Sequence, residues 1–188
     1  MARLTIWGDF KANSTERLSL SGELAYLLNT SDANVVNFEA PIQGVGKPFR
    51  KSGPNISQQA DAPEWLENYG FNVVSMANNH TMDYGTEGLE ATKNAFGKAK
   101  VIGCGSWEEA YSLTVVTAND GLRIGFLACT HCEFGTLTDK QQRHIKGTAW
   151  AGSPDLDRTI LRTRGGQILR LPLCDSPLWR GVYGAAAT

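Results

Sequence analysis

The sequence predicts an α/β fold with mixed β-sheets flanked by helices, and three observations predict it. Short apolar runs alternate with segments of helical period from Arg3 to Gly103. Polar residues collect where those runs end. Late in the chain, two runs are joined by Asn119-Asp-Gly121, the chemistry of a tight hairpin turn, so one antiparallel pair joins an otherwise alternating pattern.

Taken in order, Arg3 to Trp7 alternates and meets Gly8-Asp9, a short core strand ending in a loop. Ser21 to Asn29 places Leu24, Leu27 and Leu28 at helical spacing, and Asn34 to Phe38 reads as a second strand stopped by Pro41. The following stretch, IQGVGKPFRKSGPNI, is rich in Gly, Pro and cations and has no apolar period. A loop of that length in a compact domain is often functional. Asp61 and Glu64 have capping-box spacing with Pro63 between them, which predicts a helix over 62–69 closed by Gly70. FNVVSMA is a third strand, Thr86 to Phe96 a helix with Leu89, Thr92 and Phe96 on one face, and AKVIG a fourth strand. Ser106 and Glu109 form a second capping box before the strands SLTVVTA and LRIGFLAC, which make the hairpin.

A chain of 188 residues can fold around one core, burying roughly 70% of its unfolded surface. A formal net charge of -1 with 41% hydrophobic residues describes an ordinary globular protein and argues against nucleic acid as the main partner. MARLTIWGDF lacks a long apolar region with a small-residue cleavage site, and no run of about 18 apolar residues occurs. As written, the chain is expected to have no membrane span and a cytoplasmic placement. Cys129 and Cys132 form a C-x-x-C without a second metal-binding pair, so free buried thiols are expected over a zinc site.

In open α/β sheets functional groups gather at the carboxyl ends of strands. Asp9 follows the first strand, Asn37 and Glu39 end the second, and Asn78, Asn79, His80 and Asp83 follow the third. Each has a plainer account. Asp9 alone can cap a turn, and Asn37 and Glu39 can be a turn amide and a solvated acid. Two amides and an imidazole directly after Val-Val-Ser-Met-Ala are harder to explain that way, because unpaired polar groups at the mouth of a core strand are costly. Carboxylates, an amide and an imidazole together suit Mn, Fe or Zn, and two such ions would activate water and clamp an oxyanion. In the basic loop, Lys47, Arg50 and Lys51, beside Asn55 and several glycines, either contact an anionic substrate or form a solvated charge run. His131 and Glu133 lie at another strand end, and His144 sits in a polar stretch that reads as solvated.

From Leu156 to Thr188 the composition changes: five arginines and no lysine, where the preceding chain has eight lysines and five arginines. Two readings stand, an authentic tail that docks locally or the product of a coding-frame change.

In order and spacing, GDF, VVNFEAPI, GPNI, GFNVVSMANNHTMDYGTEGLEATKNAF, GCGSWEEA and LRIGFLA resemble the CapA family of capsule or poly-gamma-glutamate synthesis proteins, within the calcineurin-like metallophosphoesterase superfamily. The resemblance covers about residues 3–130. It implies a four-layer metallophosphoesterase-like sandwich, with residues 1–155 as the N-terminal part of such a domain and 156–188 as an atypical arginine-rich tail. It further implies Asp9, Glu39 and Asn79 as ligands of one or two divalent ions, His80 as an acid or charge stabiliser near the leaving group, and Asn37, Asn78 and Asp83 as support for the ligands. Lys47, Arg50 and Asn55 are the expected substrate contacts. Two departures stand out: Lys11 occupies the place where the superfamily usually has a ligand histidine, and nothing after His131 matches the family's later His-Trp-Gly and Gly-His motifs. The resemblance therefore favours a truncated or frame-altered product with an incomplete metal site and an exposed sheet face open to self-association. The expected function is a metal-dependent phosphoesterase-type hydrolase of capsule metabolism acting on an anionic small molecule or polymer. The alternative is a catalytically incomplete binding or scaffold domain. Members of the family often work at the cell envelope.

Overall fold

A computed structural model of the chain describes residues 1–138, 142, 144–162, 167–172 and 182–187. Strands and helices alternate as β1 (Leu4–Phe10), α1 (Gly22–Asn29), β2 (Ala33–Phe38), α2 (Ala62–Asn68), β3 (Val73–Ser75), α3 (Gly85–Ala95) and β4 (Lys100–Ile102). Each strand returns parallel to the last through a crossover, giving a parallel sheet in the order β1-β2-β3-β4. Beyond it come β5 (Cys104–Gly105), α4 (Trp107–Ala110), β6 (Thr114–Thr117), β7 (Arg123–Leu127), β8 (Thr136–Leu137), β9 (Gly147–Ala149), α5 (Pro154–Arg162), β10 (Gln167–Pro172) and β11 (Val182–Ala187). β6 and β7 form the expected hairpin, within an antiparallel sheet of order β10-β11-β7-β6. A three-stranded sheet runs β5-β9-β8.

Side-chain alternation along the strands builds the layers. Val36, Phe38, Val74 and Met76 face helices α2 and α3, where Leu66 and Leu89 meet them in one buried cluster. The intervening Val35 and Val73 face the other way and pack with Ile102 against Ile124 and Phe126 of the hairpin sheet. Leu127 and Cys129 turn to the far side of that sheet, toward Trp107, Tyr111, Leu137 and Leu156. The order is helices, parallel sheet, second sheet, then α4, α5 and the small sheet. β2 lies inside on both faces, and all six of its residues are buried, the polar Asn34 and Asn37 included.

Local signals hold in some places and yield in others. Ser106 completes its capping box, with Oγ accepting from Glu109 N and the Glu109 carboxylate accepting from Ser106 N. Asp61 does not cap α2. Its own backbone is already helical (φ -88°, ψ -1°), whereas a capping residue needs an extended one, and its carboxylate instead accepts a hydrogen bond from Thr15 Oγ1. In α1 only Leu28 is buried, while Leu24 and Leu27 are exposed, because the helix meets the core along a single row. β1 continues through Gly8-Asp9 to Phe10, with an irregular register between Ile6 and Asp9. Cys104 and Cys129 are buried, but Cys132 is exposed.

The long loop between β2 and α2 is tied down at several points. Ile42 bridges to Gln58, and the buried Gln58 side chain accepts from Ala12 N and donates to Ala40 O. Ile42 N donates to Thr92 Oγ1 on α3. Gly46 is left-handed (φ +79°), and a Cβ there would lie 2.1 Å from the Tyr84 carbonyl oxygen. Only glycine admits that approach, so the loop is held against the start of α3, beside the ends of β1 to β3. Among the described residues no helix is long and apolar enough to cross a membrane.

Candidate active site

The parallel register brings the polar strand ends together. Asp9 lies beside Asn37 in the β1–β2 ladder, and Asn37 lies beside Ser75 in the β2–β3 ladder. Asn37 and Glu39 are two residues apart on β2 and its extension, so their side chains share a face. The Asn37 amide nitrogen donates to Asp9 Oδ1 at 2.7 Å and to Glu39 Oε2 at 2.9 Å. One neutral donor thus holds two carboxylates toward each other. Asp9 is exposed, and the Glu39 side chain is 21% exposed.

Asn78 builds the turn after β3. Its amide nitrogen donates to Asn37 Oδ1 (3.2 Å) and to the Phe38 carbonyl (2.9 Å), which ties the turn to β2. Its Oδ1 accepts from His80 N, Thr81 N and Thr81 Oγ1. Asn78, Asn37, Phe38 and Thr81 are buried, and the bond to His80 N is half-buried. Asn78→Ala should therefore lower stability by about 2–3 kcal/mol in denaturant unfolding, since several buried partners are orphaned at once. Asn79→Ala should stay within about 0.5 kcal/mol of the parent, because the half-buried Asn79 amide makes no hydrogen bond with another described residue.

His80 and Asp83 lie three residues apart in that turn, where Asp83 N donates to His80 O at 2.9 Å. The His80 Nδ1–H donates to Asp83 Oδ2 at 2.7 Å, and Asp83 is fully buried. That bond sets the ring's direction, and Nε2 faces Glu39 Oε1 at 4.0 Å. Asp83 Oδ2 also accepts from Ile56 N (2.8 Å), and Asp83 Oδ1 pairs with the ammonium of Lys51, whose side chain is only 9% exposed. Phe134 lies beneath that ammonium, its ring centre 5.6 Å away, and packs against Phe49 at 4.3 Å.

The site carries unbalanced negative charge. Burial, and then the facing Asp9 carboxylate, push the Glu39 carboxyl up to about 7, while the Asn37 hydrogen bond and the Lys51 charge pull it down. Among the described residues no three His, Cys, Asp or Glu side chains are spaced to hold a metal ion together.

Asp9, Asn37, Glu39, Asn78, His80 and Asp83 are thus one connected group, with Asn79 between Asn78 and His80. The substrate-contact set is placed differently. Lys47 and Arg50 are exposed, with no ion pair to another described residue. Asn55 donates from its amide nitrogen to the Phe49 carbonyl, inside the loop. Lys51 is the loop cation that reaches the site. His131 is exposed at the end of the hairpin sheet, outside this group.

A parallel sheet packed between helices and a second, antiparallel sheet makes this an α/β protein, consistent with a metallophosphoesterase-like fold, with acid and amide groups at the ends of consecutive parallel strands. The family model for the bacterial capsule synthesis protein PGA_cap matches residues 6–165, and the chain belongs to that family. The capsule biosynthesis protein CapA of Bacillus anthracis is 30% identical over 122 residues, which are 61% of this chain and 29% of that protein. The PGA biosynthesis protein CapA of Bacillus subtilis strain 168 is 31% identical over 83 residues, 42% of this chain and 22% of that protein. The chain spans less than a third of the length of these curated relatives.

Proposed function

We propose that this chain carries the acid, amide and imidazole groups of a divalent-metal-dependent phosphoester hydrolase serving capsule or poly-gamma-glutamate synthesis. The observation that carries the reading is the convergence of Asp9 and Glu39 on the Asn37 amide, with His80 Nε2 4.0 Å from Glu39.

The donor chemistry fits a divalent cation. Two carboxylates face each other across a neutral amide, and burial, then the Asp9 charge, let Glu39 hold its proton up to about 7. Asp9, Glu39 and Asn79 would hold the ion, in keeping with the oxygen preference of such metals. When bound, Mn, Fe or Zn supplies a Lewis acid and an acidified water. The chain's own residues do the rest. Asn37 aims both acids, and Asn78 fixes the turn that carries Asn79 and His80. As water oxygen bonds to phosphorus and the ester P–O bond breaks, His80 gives an Nε2 proton to the leaving oxygen, while its Nδ1–H stays hydrogen-bonded to Asp83. The substrate class is an anionic phosphoester, small or polymeric.

The test is metal analysis of the protein purified from medium containing Mn, Fe and Zn, combined with turnover of p-nitrophenyl phosphate and bis-p-nitrophenyl phosphate. Bound divalent metal with metal-dependent release of p-nitrophenol is the expected result. No bound metal and no turnover with any added divalent ion would refute the reading.

A further inference from the structure

We propose that Lys51 is a positioning residue for His80, acting through Asp83 to hold the imidazole with Nε2 toward Glu39. The inference rests on the hydrolase reading only for the use made of His80; the positioning itself is a claim about the ring.

Asp83 is buried, so its carboxylate stays where its hydrogen-bond donors put it. Three donors meet it: the Lys51 ammonium on Oδ1, and Ile56 N and His80 Nδ1 on Oδ2. Two of the three come from the same loop. Lys51 and Ile56 together set the plane of the carboxylate and leave one direction on Oδ2 for the His80 Nδ1–H. Lys51 Nζ also lies 3.4 Å from His80 Nδ1, close enough to pack against the ring edge. An ammonium has no acceptor, so it cannot take the Nδ1 proton itself, and that proton is left to Asp83.

The surrounding loop is built to deliver this one cation. Gly46 seats it against Tyr84 O, Phe49 N donates to Asp83 O at 2.8 Å, Asn55 closes back on Phe49 O, and Phe134 covers the Lys51 ammonium. Lys47 and Arg50, in the same loop, remain exposed. Removing the ammonium frees Oδ1 and loosens the stretch that carries Ile56. The carboxylate can then rotate, and the ring loses its fixed direction.

The experiment follows the His80 Nδ1 proton by NMR in the full chain, assigned by its disappearance in His80→Gln. In the parent this proton should be shifted downfield and protected from solvent exchange. It should be lost in Lys51→Met, with the methyl spectrum still that of a folded protein, and recovered in Lys51→Arg. If p-nitrophenyl phosphate is turned over, Lys51→Met should lower kcat about 10–100-fold, a fraction of what an oriented acid contributes, with KM changed less than about threefold. A protected Nδ1 proton that persists unchanged in folded Lys51→Met would overturn the proposal. Should Lys51→Met not fold, the parent decides: a slowly exchanging Lys51 ammonium with an NOE to the His80 ring is expected, and its absence overturns the proposal equally. Because the proton signature needs neither metal nor substrate, failure of the hydrolase reading leaves it readable. Turnover without the signature would instead sink the positioning role alone.

Discussion

His80→Ala should lower kcat for a phosphomonoester by about 10²–10⁴-fold, the usual contribution of an oriented general acid, while the protein keeps its fold and its bound metal. The local geometry separates these effects. The His80 backbone N–H donates to Asn78 Oδ1 whatever the side chain is, so the turn survives truncation. Asp83, the buried partner of the ring, is not orphaned, because Lys51 and Ile56 N still hold both of its oxygens. Asp9 and Glu39, the acids proposed to hold metal, are aimed by Asn37 rather than by the imidazole. The measurement is steady-state turnover beside metal content and thermal unfolding of the same preparation. A loss of metal in step with the loss of kcat would move His80 into the ligand set. An unchanged kcat would remove it from the chemistry.

Most of the fold between β1 and β7 is legible in the sequence because each element there carries its own signal. β2 is an apolar run with a proline stop, α3 has its buried Leu89 and Thr92 at helical spacing, and the Asn-Asp-Gly turn announces the hairpin. What escapes is structure that exists only through distant pairing. β5 is two residues long and owes its existence to β9, more than forty positions away, and the Ile42–Gln58 bridge lies inside a loop with no period. β10 pairs with β11, and β11 with β7, in a stretch where no alternation persists. Short strands have too few residues to show a period, so only their partners define them.

The site divides in the same way. Strand ends that emerge in parallel register must place Asp9, Asn37 and the residues after Ser75 side by side, so that cluster follows from the order of strands alone. The choice among neighbours does not. Asn78 and Asn79 are chemically identical, yet one is a buried hub and the other a half-buried amide with no hydrogen bond to another described residue. Lys47, Arg50 and Lys51 are three cations in one glycine-rich loop. Lys51 alone reaches Asp83, because Gly46 and the Phe49–Asp83 backbone bond fix the path of the chain. The left-handed Gly46 was the available signal, since a glycine that must lie against a carbonyl marks where a loop is anchored.

Glu39→Gln should have opposite effects with and without metal. In the metal-free protein the carboxyl titrates at about 7 when folded, against the ordinary 4.5 when the chain is open. The folded state therefore binds the proton more tightly. Below the unfolded value both states are protonated and the group costs nothing. Between the two values the folded protein must give up a proton it holds well, so stability falls as pH rises, and above the folded value the full cost is present. The shift sets an upper bound of about 3 kcal/mol; the side chain keeps some contact with water, so an effect of roughly 1–2 kcal/mol at pH 8 is the working figure. Glutamine keeps an oxygen for the Asn37 amide and never ionises. In a chelator at pH 8 the variant should unfold at a higher temperature than the parent, and at pH 4.5 the two should coincide. If the proposed site binds Mn²⁺, adding it should reverse the order at pH 8, since the parent would gain about 2.7 kcal/mol at a hundredfold excess over the dissociation constant while the variant, lacking the carboxylate, would gain little. Thermal melts of both proteins at the two pH values, with and without Mn²⁺, give the comparison. If glutamine destabilises the chelated protein at pH 8, Glu39 is paired with a positive group rather than strained against Asp9. If Mn²⁺ stabilises both proteins equally, the ion sits elsewhere.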